Sequence, residues 1–188
     1  MYPVLPPTAP FTNDSTVLRA ALEHHVSARG RTALYDAITT GVDYLSRGTR
    51  ERKVLVVLSD GGDNASHATQ EASVRRALAS NAVIYTIALV DPGARDANPS
   101  LLRDLAQASG GEYFRPNDAR AIAAALGQIA RSIRQTYTIA YTPTNTAHDG
   151  AFRRIRVVVT AEPRRPLVVR SRAGYLAGTA QIQGPAPQ

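Results

Sequence analysis

The sequence predicts an α/β fold: an open, mainly parallel sheet with flanking helices, followed by a small C-terminal antiparallel β-meander. Three observations carry this. Residues 54–58 (VLVVL) and 82–90 (AVIYTIALV) are apolar runs rich in β-branched residues, and the first reads as a strand buried on both faces, as in a parallel sheet. From Lys53 to about Gln135 such runs alternate with helical stripes, the pattern of strands joined by crossover helices. After Gln135 the period becomes two: Tyr137, Ile139 and Tyr141 alternate with Thr138, Ala140 and Thr142.

The elements follow in order. Asp14 can cap a helix whose apolar positions are Leu18, Leu22 and Val26, ending at Gly30. GRTALYDAI opens a second helix with the stripe Leu34, Ile38, Val42 and Leu45, closed by Gly48. A strand over 53–59 stops at Asp60, at the carboxyl end where open α/β sheets place their ligands. Gly61 and Gly62 allow a tight turn there. A polar loop over 60–68 leads to a helix carrying Val74, Ala77 and Leu78, and then to the second strand. Asn98-Pro99 is a strong helix start, an N-cap followed by proline at the first helical position. That helix carries Leu101, Leu102 and Leu105 and closes at Gly110. A short third strand covers 111–115, and Asp118 caps a last helix with the stripe Ile122, Ala125, Leu126, Ile129 and Ile133. In the meander, Ile155, Val157 and Val159 alternate with Arg154, Arg156 and Val158, and residues 167–172 form another strand candidate. HDG and PRRP mark the turns.

Composition narrows the chemistry. The 188 residues suit one domain, or one domain with a small appendage, and 44% hydrophobic residues can bury a core. There is no Cys, which excludes disulfides, zinc–thiolate sites and thiol catalysis. No stretch approaches the ~20 apolar residues of a membrane helix. The start, MYPVLPPTAPFTND, lacks a basic head and a long apolar core, so it reads as a proline-rich linker and not a signal peptide. The formal net charge is +7, and Lys53 is the only lysine. The excess is C-terminal: residues 136–188 hold 7 basic and 2 acidic side chains, against 15 and 13 in residues 1–135. The organisation read from this is a linker over 1–14, an α/β domain over 15–135, a β-extension over 136–177 and a disordered tail over 178–188.

Several active-site patterns are absent. An apolar strand ending in Asp also serves P-loop ATPases, but no GxxxxGK[ST] loop accompanies it. GxSxG, HExxH and a GxGxxG turn after a strand are missing. His24 and His25 are adjacent and so point to different sides of a helix, away from a common metal. What remains is Thr32, ahead of a helix, and Asp60, at a strand end. A hydroxyl and a carboxylate on adjacent loops are hard oxygen donors suited to Mg²⁺. Taken singly, Thr32 reads as an N-cap and Asp60 as a turn residue.

With GRTALYDAI, VLVVLSDGGDN, AVIYTIALV and LAQASGGEYFRP in this order, residues 30–135 resemble the von Willebrand factor A (VWA) domain, a Rossmann-like fold. More narrowly, they resemble bacterial VWA-related proteins of the acidobacterial type. QTYTIAYTPTN, FRRIRVVVTAE and VRSRAGYLAG resemble the β-extension that follows the domain in those proteins. The resemblance implies a non-enzymatic binding or adhesion module for protein partners. It also implies a metal-ion-dependent adhesion site, built from a DxSxS loop, a Thr and an Asp; Thr32 and Asp60 match the last two. The DxSxS loop has no match, because Asn13-Asp14-Ser15-Thr16 has the wrong spacing and precedes a helix. The expectation is therefore a VWA-like domain without its first strands, an incomplete site, weak or absent Mg²⁺ binding, and self-association through an exposed sheet edge. Relatives of this kind are commonly exported, which implies an extracytoplasmic location, although these residues carry no export signal.

Two other functions fit fewer residues. A metal-dependent phosphohydrolase could use Asp60 and Asp63, but it lacks a second carboxylate cluster and a nucleophile. An anionic-surface or nucleic-acid binder could use Arg154, Arg156, Arg170 and Arg172, without any recognisable nucleic-acid-binding signature.

Overall fold

The computed structural model describes residues 11–25, 31–89, 97–160 and 168–178. Among these residues five helices and five strands follow in chain order: α1 (Ser15–His25), α2 (Leu34–Ser46), β1 (Val54–Ser59), α3 (Gln70–Ala79), β2 (Val83–Ala88), α4 (Pro99–Ser109), β3 (Tyr113–Phe114), α5 (Ala119–Arg134), β4 (Phe152–Arg154) and β5 (Gly174–Leu176). Val26, Gly30, Val90 and Leu167, the PRRP turn and the tail beyond Gly178 lie outside the described residues.

Among the described residues, β1, β2 and β3 form a parallel sheet in that order, with Val54 opposite Val83 and Thr86 opposite Tyr113. Two consecutive right-handed crossovers that step the same way put their helices on the same face. Accordingly α3 and α4 join α2 on one face, where Leu34, Ile38, Val42, Ala77, Leu101, Leu102 and Leu105 bury Ile84 and Ala88. Leu55 and Val57 pack against this cluster. On the other face α5 lays Ala125 and Ile129 over Tyr85 and Ile87.

The buried polar groups tie the layers together. The Thr86 hydroxyl donates to the Leu102 carbonyl at 2.8 Å, and the Ser73 hydroxyl donates to the Tyr35 carbonyl at 3.2 Å. The Ile84 N–H donates to Ser109 Oγ at 2.9 Å. Each would cost free energy if buried without a partner. Here each one fixes a helix against its neighbour.

The helix ends match their sequence signals. Asp14, Asn98 and Asp118 cap α1, α4 and α5, accepting from Thr16, Leu101 and Ala121 at 2.8, 3.2 and 2.7 Å. Gly110 ends α4 in the left-handed conformation, φ 86°.

Two expectations change. β1 is not buried on both faces. Its Leu55/Val57 side meets the helices, but on the other side only Val54 packs against the cluster that α5 forms over β2, and Val56 and Leu58 are 36% and 47% exposed. The C-terminal meander is reduced to the antiparallel pair β4–β5. Residues 136–142 form no ladder, and Tyr137 stays 90% exposed. Alternation gave that segment a strand's pattern, but no described strand pairs with it.

Candidate functional site

Asp60 stands at the carboxyl end of β1, and the loop that it opens bonds to Thr32, ahead of α2. The N–H groups of Asn64 and Ala65 donate to the Thr32 carbonyl at 2.9 and 3.1 Å, and the Thr32 N–H donates to Asn64 Oδ1 at 2.8 Å. The loop that Asp60 opens is thus wrapped around Thr32. No described hydrogen bond joins the two side chains directly. Asp60 Oδ1 accepts from the Gly62 N–H at 2.9 Å, a local turn contact. Thr32 is an exposed residue.

Thr32 is not the N-cap of α2. That position is Ala33, which has no capping oxygen. The cap comes across space from the same loop: the Tyr35 N–H donates to Asp63 Oδ2 at 3.0 Å, and the Asp36 N–H donates to Ser66 Oγ at 3.1 Å. Ser66 in turn donates to Asp63 through Oγ at 2.5 Å and through its N–H at 3.2 Å. Burial opposes ionisation of Asp63, but the Ser66 hydroxyl and the N–H groups of Tyr35, Ser66 and Leu34 outweigh it and hold the carboxyl below its ordinary range. Asp36 answers from α2. It accepts from the His67 and Ala68 N–H groups, both at 2.9 Å, and these contacts with the His67 ring lower its pKa.

Loop and helix therefore brace each other through two carboxylates. Sequence reasoning left Asp36 unassigned and gave Asp63 only to the phosphohydrolase reading. The available signal was Ala33, a helix start without a polar cap. Gly61 completes the rim. Its φ is +85°, and a Cβ there would run into the Asn98 carbonyl of the segment before α4. The Asn98 N–H also donates to the Asp60 carbonyl at 3.2 Å.

The donor set decides what the rim can hold. Mg²⁺ demands near-octahedral oxygen coordination. Thr32 and Asp60 offer two side-chain donors, and Asp63 is already committed to the α2 cap. Among the described residues no group of three or more His, Cys, Asp or Glu side chains converges. The described residues alone do not fit a resident Mg²⁺ site. The His24 and His25 side chains lie outside the described residues.

The four arginines lie elsewhere and are not one cluster. The β4–β5 extension docks at the opposite end of the sheet, against the C-terminal ends of α3 and α4. There the Ala173 N–H donates to the Ala108 carbonyl at 3.0 Å. Arg172 is part of this joint: its guanidinium donates to the Leu78 carbonyl at 2.9 Å, to the Gly174 carbonyl at 2.8 Å and to Asn81 Oδ1. Arg170 pairs with Glu112 at 2.6 Å. Arg154 and Arg156 remain exposed. Neither Arg172 nor Arg170 is a free cation on a polar face, and none of the four approaches Thr32 or Asp60. No described helix is long and apolar enough to cross a membrane.

Known proteins agree with this architecture. The chain is similar to an aerotolerance-related membrane protein from Bacteroides fragilis, with 17% identity over 69% of this chain and 73% of that one, at a TM-score of 0.50. It is also similar to an uncharacterized membrane spanning protein from Vibrio fischeri (24% identity, 64% and 67% covered, TM-score 0.39) and to the conserved hypothetical protein BatB from Bacteroides thetaiotaomicron (15%, 64% and 70%, 0.46). At these identities the likeness concerns the fold, and of the three only the Bacteroides fragilis structure is near enough to support it. No curated protein matches. The family model for the von Willebrand factor type A domain matches residues 4–131, and with the parallel sheet, its flanking helices and the SDGGDN rim in place, the chain belongs to that family.

Proposed function

We propose that the chain is a non-enzymatic module that binds a protein partner at the carboxyl-end rim of its sheet. The observation that carries this is the construction of the rim. Asp60 and Asn64 lie on a loop fixed to α2 through Asp63, Ser66 and Asp36, and Thr32, ahead of α2, bonds to that loop, so polar groups stand on a braced platform. A preorganised surface of this kind loses little entropy on binding. Among the described residues no paired acid and base or activated nucleophile accompanies it, and family membership supports interaction over catalysis. With two donors, the rim binds Mg²⁺ weakly or not at all, and Thr32 and Asp60 act as direct hydrogen-bonding groups. Family resemblance favours an extracytoplasmic location.

Binders selected from a displayed peptide library test this. Thr32→Ala and Asp60→Ala should each weaken the selected binders by about tenfold, the scale of one good hydrogen bond to a charged group. Arg154→Ala should leave them unchanged. Binding that ignores both rim variants and fails on Arg154→Ala would overturn the proposal. Calorimetry should show no saturable Mg²⁺ binding in the micromolar range, and millimolar Mg²⁺ should barely move the melting temperature. A micromolar dissociation constant contradicts the incomplete site. Asp60-dependent turnover of a phosphate monoester contradicts the non-enzymatic reading.

A further inference from the structure

The joint between the sheet and the β4–β5 extension leaves a cavity of about 390 Å³, away from Thr32 and Asp60. Arg103 and Gln107 of α4, Glu112 and Tyr113 at the start of β3, and Arg170 and Ser171 of the extension line it. Its size falls within the ~300–1,000 Å³ of small-ligand sites. The polar groups on its walls are unevenly matched. Glu112 is supplied with donors: Arg170 Nη2 at 2.6 Å and Gln128 Nε2 at 3.1 and 3.2 Å. Several donors lack acceptors. The Tyr113 hydroxyl is buried and has no hydrogen-bond partner among the described residues. Such a group costs free energy until something satisfies it. The Ser171 hydroxyl meets only the Arg172 carbonyl, at a long 3.4 Å. Arg103 belongs to none of the described ion pairs. Its guanidinium lies over the Tyr113 ring, 5.0 Å from the centroid. That contact fixes the group against the ring face without using its planar N–H fork.

We propose that this cavity binds a small organic monocarboxylate, its carboxylate held by the Arg103 fork and accepting from the Tyr113 hydroxyl. The charge balance selects the class. Arg170 neutralises Glu112, so the walls keep one uncompensated positive charge, on Arg103. A planar carboxylate meets a guanidinium through two parallel hydrogen bonds. α4 ends on the same cavity at Gly110, and the negative end of its dipole disfavours a second negative charge. That end offers little to a cation, because the Ala106, Gln107 and Ala108 carbonyls already accept from Gly111, Gly110 and Ala173 at 2.9, 3.2 and 3.0 Å. Val169 gives the rest of the acid an apolar wall. Water satisfies a lone buried hydroxyl equally well, but water does not distinguish an acid from its amide. Since the walls come from both the sheet layer and the extension, the bound acid also fastens one to the other. The site is separate from the rim, and it stands whether or not the rim binds a protein.

Butyrate, with butyramide as its uncharged counterpart, tests this on the full chain at constant ionic strength. The Gly111 and Ser171 amide signals should shift saturably in NMR with millimolar butyrate, and the melting temperature should rise with it. Butyramide should do neither, and inorganic phosphate should bind at least tenfold more weakly. Arg103→Leu, at an exposed position, should abolish the response. Tyr113→Phe keeps the ring under the guanidinium. It should weaken butyrate about tenfold, the scale of one hydrogen bond to a charged group. Without ligand it should melt no lower than wild type, since the hydroxyl it removes has no partner. No saturable shift with millimolar butyrate, an equal response to butyramide, phosphate bound as tightly, or undiminished binding by Arg103→Leu or Tyr113→Phe would each overturn the proposal. A ligand-free Tyr113→Phe that melts below wild type would mean that the hydroxyl is already satisfied, and would overturn it equally.

Discussion

Asp63 shows how one side chain converts a loop into a platform. It supplies the helix cap that Ala33 cannot, and it holds Ser66, which caps the next N–H. Asp63→Ala should cost about 2 kcal/mol, the upper range for losing a helix cap. The pH dependence has a definite sign. The folded carboxyl titrates below its ordinary value, so its contribution is complete above about pH 4 and is lost as the pH falls through the lower folded value. Urea melts should therefore show a gap between wild type and Asp63→Ala at pH 7 that narrows as the pH falls below the ordinary carboxylate range. A gap independent of pH would contradict the capping role. Gly61 is the second such residue. Its left-handed φ and the Asn98 carbonyl leave no place for a methyl group, and Gly61→Ala should cost about 2–4 kcal/mol in the same assay. Thr32 and Asp60 were singled out in the sequence because a hydroxyl and an acid stood at element ends, and the loop contacts to Thr32 are what the structure adds. Asp63 and Asp36 were less so, because a cap reaching across about 30 residues leaves no local spacing to read.

At the scale of elements, hydrophobic pattern located helices and strands well, and its failures have a common cause. Periodicity reports which residues prefer burial, but the topology decides whether anything is there to bury them. β1 and residues 136–142 carry apolar side chains that pair with nothing described on one side. In α1, Val17, Leu18 and Leu22 likewise remain exposed. The α5 stripe divides in the same way: Ile129 is buried on Tyr85 and Ile87, whereas Leu126 is 42% exposed. Two leucines test the distinction. Leu102, fully buried between α4 and β2, should cost about 2–5 kcal/mol when cut to Ala. Leu126→Ala should stay within about 0.5 kcal/mol. Equal losses in urea unfolding would place α5 differently from the arrangement described.

At the scale of the whole molecule, the sheet separates two surfaces. The rim with Thr32 and Asp60 lies at the strands' carboxyl ends, and the β4–β5 extension is bolted by Arg172 and Ala173 to the other. The basic excess of residues 136–188 reads in the sequence as a binding face, but part of it is structural, since Arg172 anchors the extension and Arg170 neutralises Glu112. Composition counts such charges without showing which are already paired. The rim rests on the loop after β1 being fixed to the start of α2 by Asp63 and Ser66. Amide exchange at the start of α2, followed by NMR in the wild type and in Asp63→Ala, tests this most directly. The Tyr35 and Asp36 amides should be protected in the wild type and exchange rapidly in the variant. Two amides protected alike in both proteins would mean that the loop does not cap α2, and would contradict the account.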